Sequence, residues 1–279
     1  MNYSTGNFTP DTSTNSTTQS LGLIDCLEIC VSSINFMFGL PTHSYVIWLI
    51  ITGTGSGATS EFFILNLSVC EIGNCLNCLF YSVNYFISSI TLLPQFLLGL
   101  VFTGRPLFQC LMCVERYLAV VHPVIFLKFK PLRYRVICCT VVWIITLGSC
   151  IYSVFCLISN IHYVFTWFFS LQFLLLFSIQ LFCLVAVLRA LKQSGPGERR
   201  KERNEENDIK RRAFYLILIT SVSTFITHVS YIFTGFFSIL KQNIQTLWFI
   251  SMVCYALDGF VQPVLYLHRG GKLSCLCSL

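Results

Sequence analysis

Cys113-Val114-Glu115-Arg116-Tyr117-Leu118-Ala119-Val120-Val121-His122-Pro123-Val124 closes the third long apolar stretch of the chain. An acid and a base stand side by side where a hydrophobic helix ends. A lone Arg at such an end is ordinary, because Lys and Arg lay their stems along apolar surface and carry the charge out to water. Glu, Arg and Tyr in succession, with a proline six residues beyond the tyrosine, form a much narrower pattern.

Composition supplies the setting. The chain is 55% hydrophobic and 11% charged, with a mean hydropathy of +0.72, whereas a soluble domain carries about 25% charged residues. It reads as a polytopic membrane protein, all-α in class. A large soluble domain with several buried helices would need charged helix faces that these stretches lack. Seven apolar segments reach the ~20 residues needed to cross a hydrocarbon core: Leu23 to Ile51, Phe62 to Ile87, Leu92 to Val121, Val136 to Ser159, Tyr163 to Leu191, Ala213 to Leu240 and Leu247 to Leu267. The reading is therefore a tail over 1–22, a seven-helix membrane bundle over 23–267 and a second short tail over 268–279.

Seven crossings put the two ends of the chain on opposite sides. All of the 18 Lys and Arg except Arg105 and Lys241 lie at or beyond the end of the third span, in the 128–135 loop, in the 189–212 region or in the tail with Arg269 and Lys272. These places share one side, which the positive-inside rule makes cytoplasmic. The amino terminus is then extracellular. It carries three glycosylation sequons, at Asn2, Asn7 and Asn15. No basic segment precedes the first apolar stretch, so that span is expected to act as its own signal anchor rather than as a cleaved signal peptide. The mixed-charge segment 192–212 reads either as a solvated helix extension or as a cytoplasmic contact surface, and the two are compatible.

The motifs together resemble those of the rhodopsin-like (class A) G-protein-coupled receptors, over Gly39 to Tyr266. They are Glu115-Arg116-Tyr117 at the end of helix three, Trp143 in helix four, Asn66-Leu67 with the acid Glu71 in helix two, and Pro263-Val264-Leu265-Tyr266 in helix seven. Gly39-Leu40-Pro41 and His122-Pro123-Val124 are similar to the branch holding purinergic, protease-activated and lipid or chemoattractant receptors. The resemblance implies a plasma-membrane receptor that binds an extracellular ligand and couples to a heterotrimeric G protein. Glu115, Arg116, Tyr117 and Tyr266 would form the coupling switch, with Glu115 holding Arg116 inward at rest until the Arg meets the carboxyl end of a G-protein helix. A simple interfacial ion pair is the plainer reading.

Several positions depart from the family's pattern. The outer disulfide position in helix three falls on Thr91, and the loop near Asn160 holds no Cys. His43 stands where the first helix usually has Asn, Ser170 where the fifth often has Pro, and His228 and Ser230 where the sixth often has Trp and Pro. A sixth helix without that proline has its activation hinge reduced or moved.

Arg105 lies in the middle of the third span, where an unpaired charge is costly. By the resemblance it occupies the place of a small hydroxyl residue lining a sodium pocket. The reading is that its guanidinium stands in for the ion, its planar fork serving the carboxylates of Glu71 and Asp258. An Arg reaching a watery crevice alone is the other reading.

The same alignment places Gln95, Leu98, Phe102, His162, Trp167, His228, Tyr231 and Met252 on inward faces of the outer half, as candidate ligand contacts. No basic residue accompanies them, which points away from a polyanion and toward an apolar or weakly polar ligand. The Cys75/Cys78 and Cys110/Cys113 pairs fall inside apolar helices and read as small buried hydrophobes rather than metal ligands. Cys275 and Cys277, after Arg269 and Lys272, suit palmitoylation. No cofactor, metal or nucleic-acid partner is expected; membrane lipid is. No His-Glu-x-x-His or Gly-x-Ser-x-Gly signature marks an enzyme, and no repeat or line of intramembrane charges marks a transporter or channel. A receptor-shaped partner or decoy that no longer signals is the alternative.

Overall fold

The computed structural model describes residues 22–53, 61–87, 90–129, 131–193, 202–240 and 245–269. Asn2, Asn7, Asn15, Cys275 and Cys277 lie outside them. Among the described residues there are helices and no strand: α1 (Leu23–Ile51), α2 (Glu61–Phe86), α3 (Leu92–Gly99), a π-helical stretch Leu100–Gly104, α4 (Arg105–Val121), α5 (Pro123–Phe129), α6 (Leu132–Ile158), α7 (His162–Gln193), α8 (Glu202–Ile239) and α9 (Gln245–Arg269).

Seven helices are long and apolar enough to cross a membrane, and α3, the π stretch and α4 run together as the third of these, Leu92–Val121. Span ends agree with the sequence reading within a few residues, except that α8 begins at Glu202, well before Ala213. Such helices suit lipid because every backbone polar group is satisfied within its own segment. Hydroxyl side chains do the same: Thr42, Thr140 and Ser178 donate to the carbonyls of Phe38, Val136 and Leu174, four residues back. Outward faces stay apolar, as at Ile51, Ile158 and Phe182, which are 72%, 71% and 62% exposed.

The bundle closes as a ring, α1 on α2 and α9, α7 on α8, and α8 on α9. The third span forms its axis: 61% of its apolar window is buried, against 17–39% for the other six. Small residues let helices approach closely there. A Cβ on Gly99 would lie 2.5 Å from Cys150 Cα, backbone against backbone. Beside it Gln95 donates to Ser153 Oγ at 3.0 Å, and that hydroxyl donates to the Gln95 carbonyl at 2.8 Å. Trp143 Nε1 donates to Asn66 Oδ1 at 2.9 Å, joining the fourth span to the second.

The π stretch has a cause in sequence. Pro106 has no N–H to give the carbonyl of Phe102 and cannot continue a regular α-helix. The released carbonyls find side chains instead: Gln172 Nε2 donates to Phe102 O at 3.1 Å, and the Tyr255 hydroxyl donates to Val101 O at 2.9 Å. The helix takes an extra residue into this turn, so the residues before it are rotated relative to those after it.

Candidate signalling switch, buried ion cluster and outer pocket

At the end of the bundle where the third span finishes, Glu115 and Arg116 point in different directions. Neighbouring positions on a helix do not face each other. Arg135 on α6 lies 2.7 Å from Glu115 Oε1, while Arg116 Nη1 donates to Thr220 Oγ1 on α8 at 2.9 Å. The expected partnership is thereby corrected: the cation on Glu115 comes from the fourth span, and Arg116 bridges to the sixth. Tyr117 packs its ring on His122 and Phe182, and its hydroxyl lies 3.0 Å from His122 Nε2. The Tyr266 hydroxyl donates to Glu61 Oε1 at 3.4 Å, linking the seventh span to the start of α2.

Half-way along the third span, Arg105, Glu71 and Asp258 come together. Arg105 Nε lies 2.7 Å from Glu71 Oε1 and Nη2 lies 3.3 Å from Asp258 Oδ2, with each of the three side chains 3% exposed. Neither contact is aligned as a hydrogen bond. The guanidinium does serve both carboxylates, holding them mainly by charge; its one aligned bond goes from Nη1 to the Tyr255 carbonyl at 2.8 Å. The Tyr255 ring covers the guanidinium, 3.9 Å from Cζ to centroid.

Neutral groups complete the shell. Gln109 Nε2 donates to Asp258 Oδ2 at 2.8 Å, Ser223 Oγ donates to Oδ1 at 2.5 Å, and Asn74 Nδ2 donates to Glu71 Oε2 at 3.3 Å. Gly259 leaves the space: a Cβ there would lie 3.1 Å from Arg105 Nη2. One cluster therefore ties together the second, third, sixth and seventh spans.

Above it, toward the start of α1, opens a cavity of about 690 Å³. Its walls are aromatic, with Phe102, Tyr231, Trp248 and Tyr255. Asp25 and Glu28 stand toward its α1 side, together with Gln245 and Tyr81. Gln245 Nε2 donates to Asp25 Oδ1 at 3.0 Å and the Tyr81 hydroxyl donates to Glu28 Oε2 at 2.8 Å. Tyr255 belongs to both sites, its ring on Arg105 and its side facing the cavity.

The model of the seven-transmembrane receptors of the rhodopsin family matches residues 43–266. The chain belongs to that family. Among its relatives, hydroxycarboxylic acid receptor 2 of Rattus norvegicus is 25% identical over 85% of this chain and 73% of its own length. Chemokine XC receptor 1 of Homo sapiens is 28% identical over 85% and 76%. C-C chemokine receptor type 8 of Homo sapiens is 25% identical over 85% and 74%. The protein is a multi-pass membrane receptor and not an enzyme.

The receptor's cavity takes in four of the eight candidate ligand residues, Leu98, Phe102, Tyr231 and Met252. The other four lie elsewhere. Gln95 is turned toward Ser153 of the fourth span, as follows from the register change at the π stretch. His162 is exposed at the start of α7, and Trp167 packs edge-on against Tyr163 and Phe236. His228, 1% exposed, is sealed between Phe173 and Phe177, with Nδ1 2.8 Å from the Thr224 carbonyl.

Sequence reasoning missed Gln109, Asn74, Tyr255 and the carboxylates Asp25 and Glu28. Helical spacing held a signal for two of them: Gln109 is four residues from Arg105 and Asn74 three from Glu71, each on the face of its ion. Asp25 and Glu28 likewise sit three apart, on the face of the first span that meets the second and seventh.

Proposed function

We propose that the receptor passes the binding of an extracellular ligand to a heterotrimeric G protein, with Glu115, Arg116, Tyr117 and Tyr266 as the coupling switch. The basic loops would then face the cytoplasm of the plasma membrane. Residues 1–22 would be extracellular with glycans at Asn2, Asn7 and Asn15, and 268–279 would be a cytoplasmic tail palmitoylated at Cys275 or Cys277. The observation that carries the proposal is the Arg116–Thr220 hydrogen bond, 2.9 Å across from the third span to the sixth. A switch needs an element whose two arrangements the ligand can bias, and this contact must break for α8 to move away from the third span.

The cavity supplies the other half. Its ionisable lining residues other than tyrosine and cysteine are Asp25 and Glu28, with no Lys, Arg or His among the lining residues. The ligand class therefore narrows from apolar or weakly polar to a cationic group on an aromatic or aliphatic body, with carboxylates for the charge and aromatic faces for the rest. A hydroxycarboxylic acid, as in the name of the rat relative, would bring a third negative charge beside those two carboxylates. Tyr255 offers the route inward, because displacement of its ring disturbs Arg105 directly.

The signalling-silent reading draws on one observation, the fourfold tie among spans at Arg105. The two are separated by expressing the chain at the cell surface and measuring basal and ligand-stimulated G-protein recruitment against Arg116→Ala. Signal above background that is lost in the variant supports coupling. Equal background across every G-protein class and a broad panel of cationic ligands supports the silent receptor.

A further inference from the structure

We propose that the cavity takes an amine that also carries a neutral hydroxyl, with the ammonium on Asp25 or Glu28 and the hydroxyl on Asn77, one helical turn deeper. This rests on the cationic-ligand reading of the same cavity and adds a second pole to it. Asn77 lines the cavity, and its Oδ1 is shielded from solvent and has no hydrogen-bond partner. A buried acceptor left open is costly. Its own helix does not supply the donor, because backbone N–H groups inside a helix are spent on carbonyls four residues back. The other asparagines on that wall are directed elsewhere: Asn35 Nδ2 donates to Cys78 Sγ at 3.3 Å, and Asn74 Nδ2 donates to Glu71 Oε2 at 3.3 Å.

The two poles stand at a fixed spacing. Glu28 on α1 accepts from Tyr81 on α2, and further in Asn35 meets Cys75 and Cys78, so the two helices run antiparallel along this wall. Asn77 precedes Tyr81 by four residues and therefore lies about 6 Å deeper. Ser32, 2% exposed and four residues after Glu28, stands at the matching level of α1. A phenyl ring with a two-carbon arm bridges that step, with the rings of Tyr231 and Trp248 on the cavity wall to receive it. The open acceptor selects the second group. A ketone or an ether has nothing to donate to Oδ1. A second ammonium would be desolvated against a neutral amide, since Glu71 and Asp258 below are already engaged with Arg105. A hydroxyl donates without that cost.

The test uses the full chain in phosphatidylcholine nanodiscs, with affinities taken from the ligand dependence of thermal denaturation. Tyramine is expected to bind about tenfold tighter than phenethylamine, which lacks the hydroxyl, and than 4-methoxyphenethylamine, which keeps the oxygen but cannot donate. Asn77→Leu should bring tyramine down to the level of the other two and leave those two unchanged. Equal affinities for the three amines, each lowered by Asp25→Asn and Glu28→Gln, would overturn the hydroxyl site and leave the cation site standing. A tyramine advantage that persists in Asn77→Leu would do the same. Amines that do not bind, or that bind regardless of the two carboxylates, would overturn both. The comparison of the three amines is read on the unaltered receptor, so it stands even if the Leu variant fails to fold.

Discussion

Arg105 Nε lies 2.7 Å from Glu71 Oε1, with both side chains 3% exposed in the middle of a membrane bundle. Asp258 completes the group from the seventh span. Removing one member of a buried ion pair costs ~3–5 kcal/mol, because the other charge is stranded. Arg105→Ser should therefore lower the thermal stability of the solubilised receptor by that amount, and Glu71→Gln in the same chain should restore a large part of it. A harmless single change with no coupling between the two sites, read by thermal denaturation, would show that the cluster holds nothing together.

The π stretch makes a second relationship measurable. Gln172 donates to the Phe102 carbonyl that Pro106 leaves without an N–H. Leaving a buried acceptor open costs ~1–3 kcal/mol, so Gln172→Leu should destabilise the receptor by about that much. In a Pro106→Ala background the backbone can supply its own donor, and the same Gln172 change should cost clearly less. A double-mutant cycle by thermal denaturation decides it; strict additivity would mean that the two residues are unrelated.

Legibility of this receptor from sequence followed the physics of each feature. Seven spans were readable because lipid demands long apolar helices, and Glu71, Arg105 and Asp258 because a mid-span charge must find a partner. Faces were most readable where the helix is regular. From Arg105 to Arg116 the α4 register is unbroken and counting back from the motif works; across the π stretch it holds for Leu98, which lines the cavity, and fails for Gln95, which the shifted register turns toward Ser153. Pro106 was the visible cause of that shift. The choice of partner for Glu115 was not legible, since Arg116 and Arg135 are equally basic in sequence and only the packing of α4 against α6 distinguishes them.

At the switch, Arg135 holds Glu115 while Arg116 holds Thr220. Arg135→Gln should leave the α4 acid without its cation and make the end of the third span easier to move. Basal G-protein recruitment is expected to rise severalfold, with a loss of stability below about 3 kcal/mol because the pair is partly reached by solvent. Thr220→Val, which removes the acceptor for Arg116 at nearly constant volume, should raise basal recruitment in the same direction. A fall to background in both variants would assign these contacts to the active arrangement instead.

Two glycines in the chain give opposite expectations for one substitution. At Gly99 an added Cβ would meet Cys150 Cα at 2.5 Å and Ser149 O at 2.6 Å, backbone atoms that cannot turn aside. Gly99→Ala should push the third and fourth spans apart and cost ~1–3 kcal/mol, as overpacking does. At Gly148 nothing lies within 4 Å of the added carbon, and Ala there should gain ~0.5–1 kcal/mol from helix propensity. Thermal denaturation of the two single variants tests both signs at once.

The cavity sets the last prediction through its charge. Asp25 accepts from Gln245 and Glu28 from Tyr81, so each carboxylate is held in place but retains capacity for a further donor. A charged hydrogen bond to a ligand amine is worth ~1.5–3 kcal/mol, a factor of ten or more in affinity. Asp25→Asn and Glu28→Gln should each weaken a cationic agonist by about tenfold, while their amides keep the contacts with Gln245 and Tyr81. Tyr255→Phe, by contrast, removes the hydroxyl that holds the Val101 carbonyl and leaves the ring on Arg105, so its effect should fall on efficacy more than on affinity. Radioligand binding and G-protein recruitment measured side by side separate the two. Unchanged affinity in both carboxylate variants, with an anionic ligand bound instead, would assign the pocket to the opposite charge.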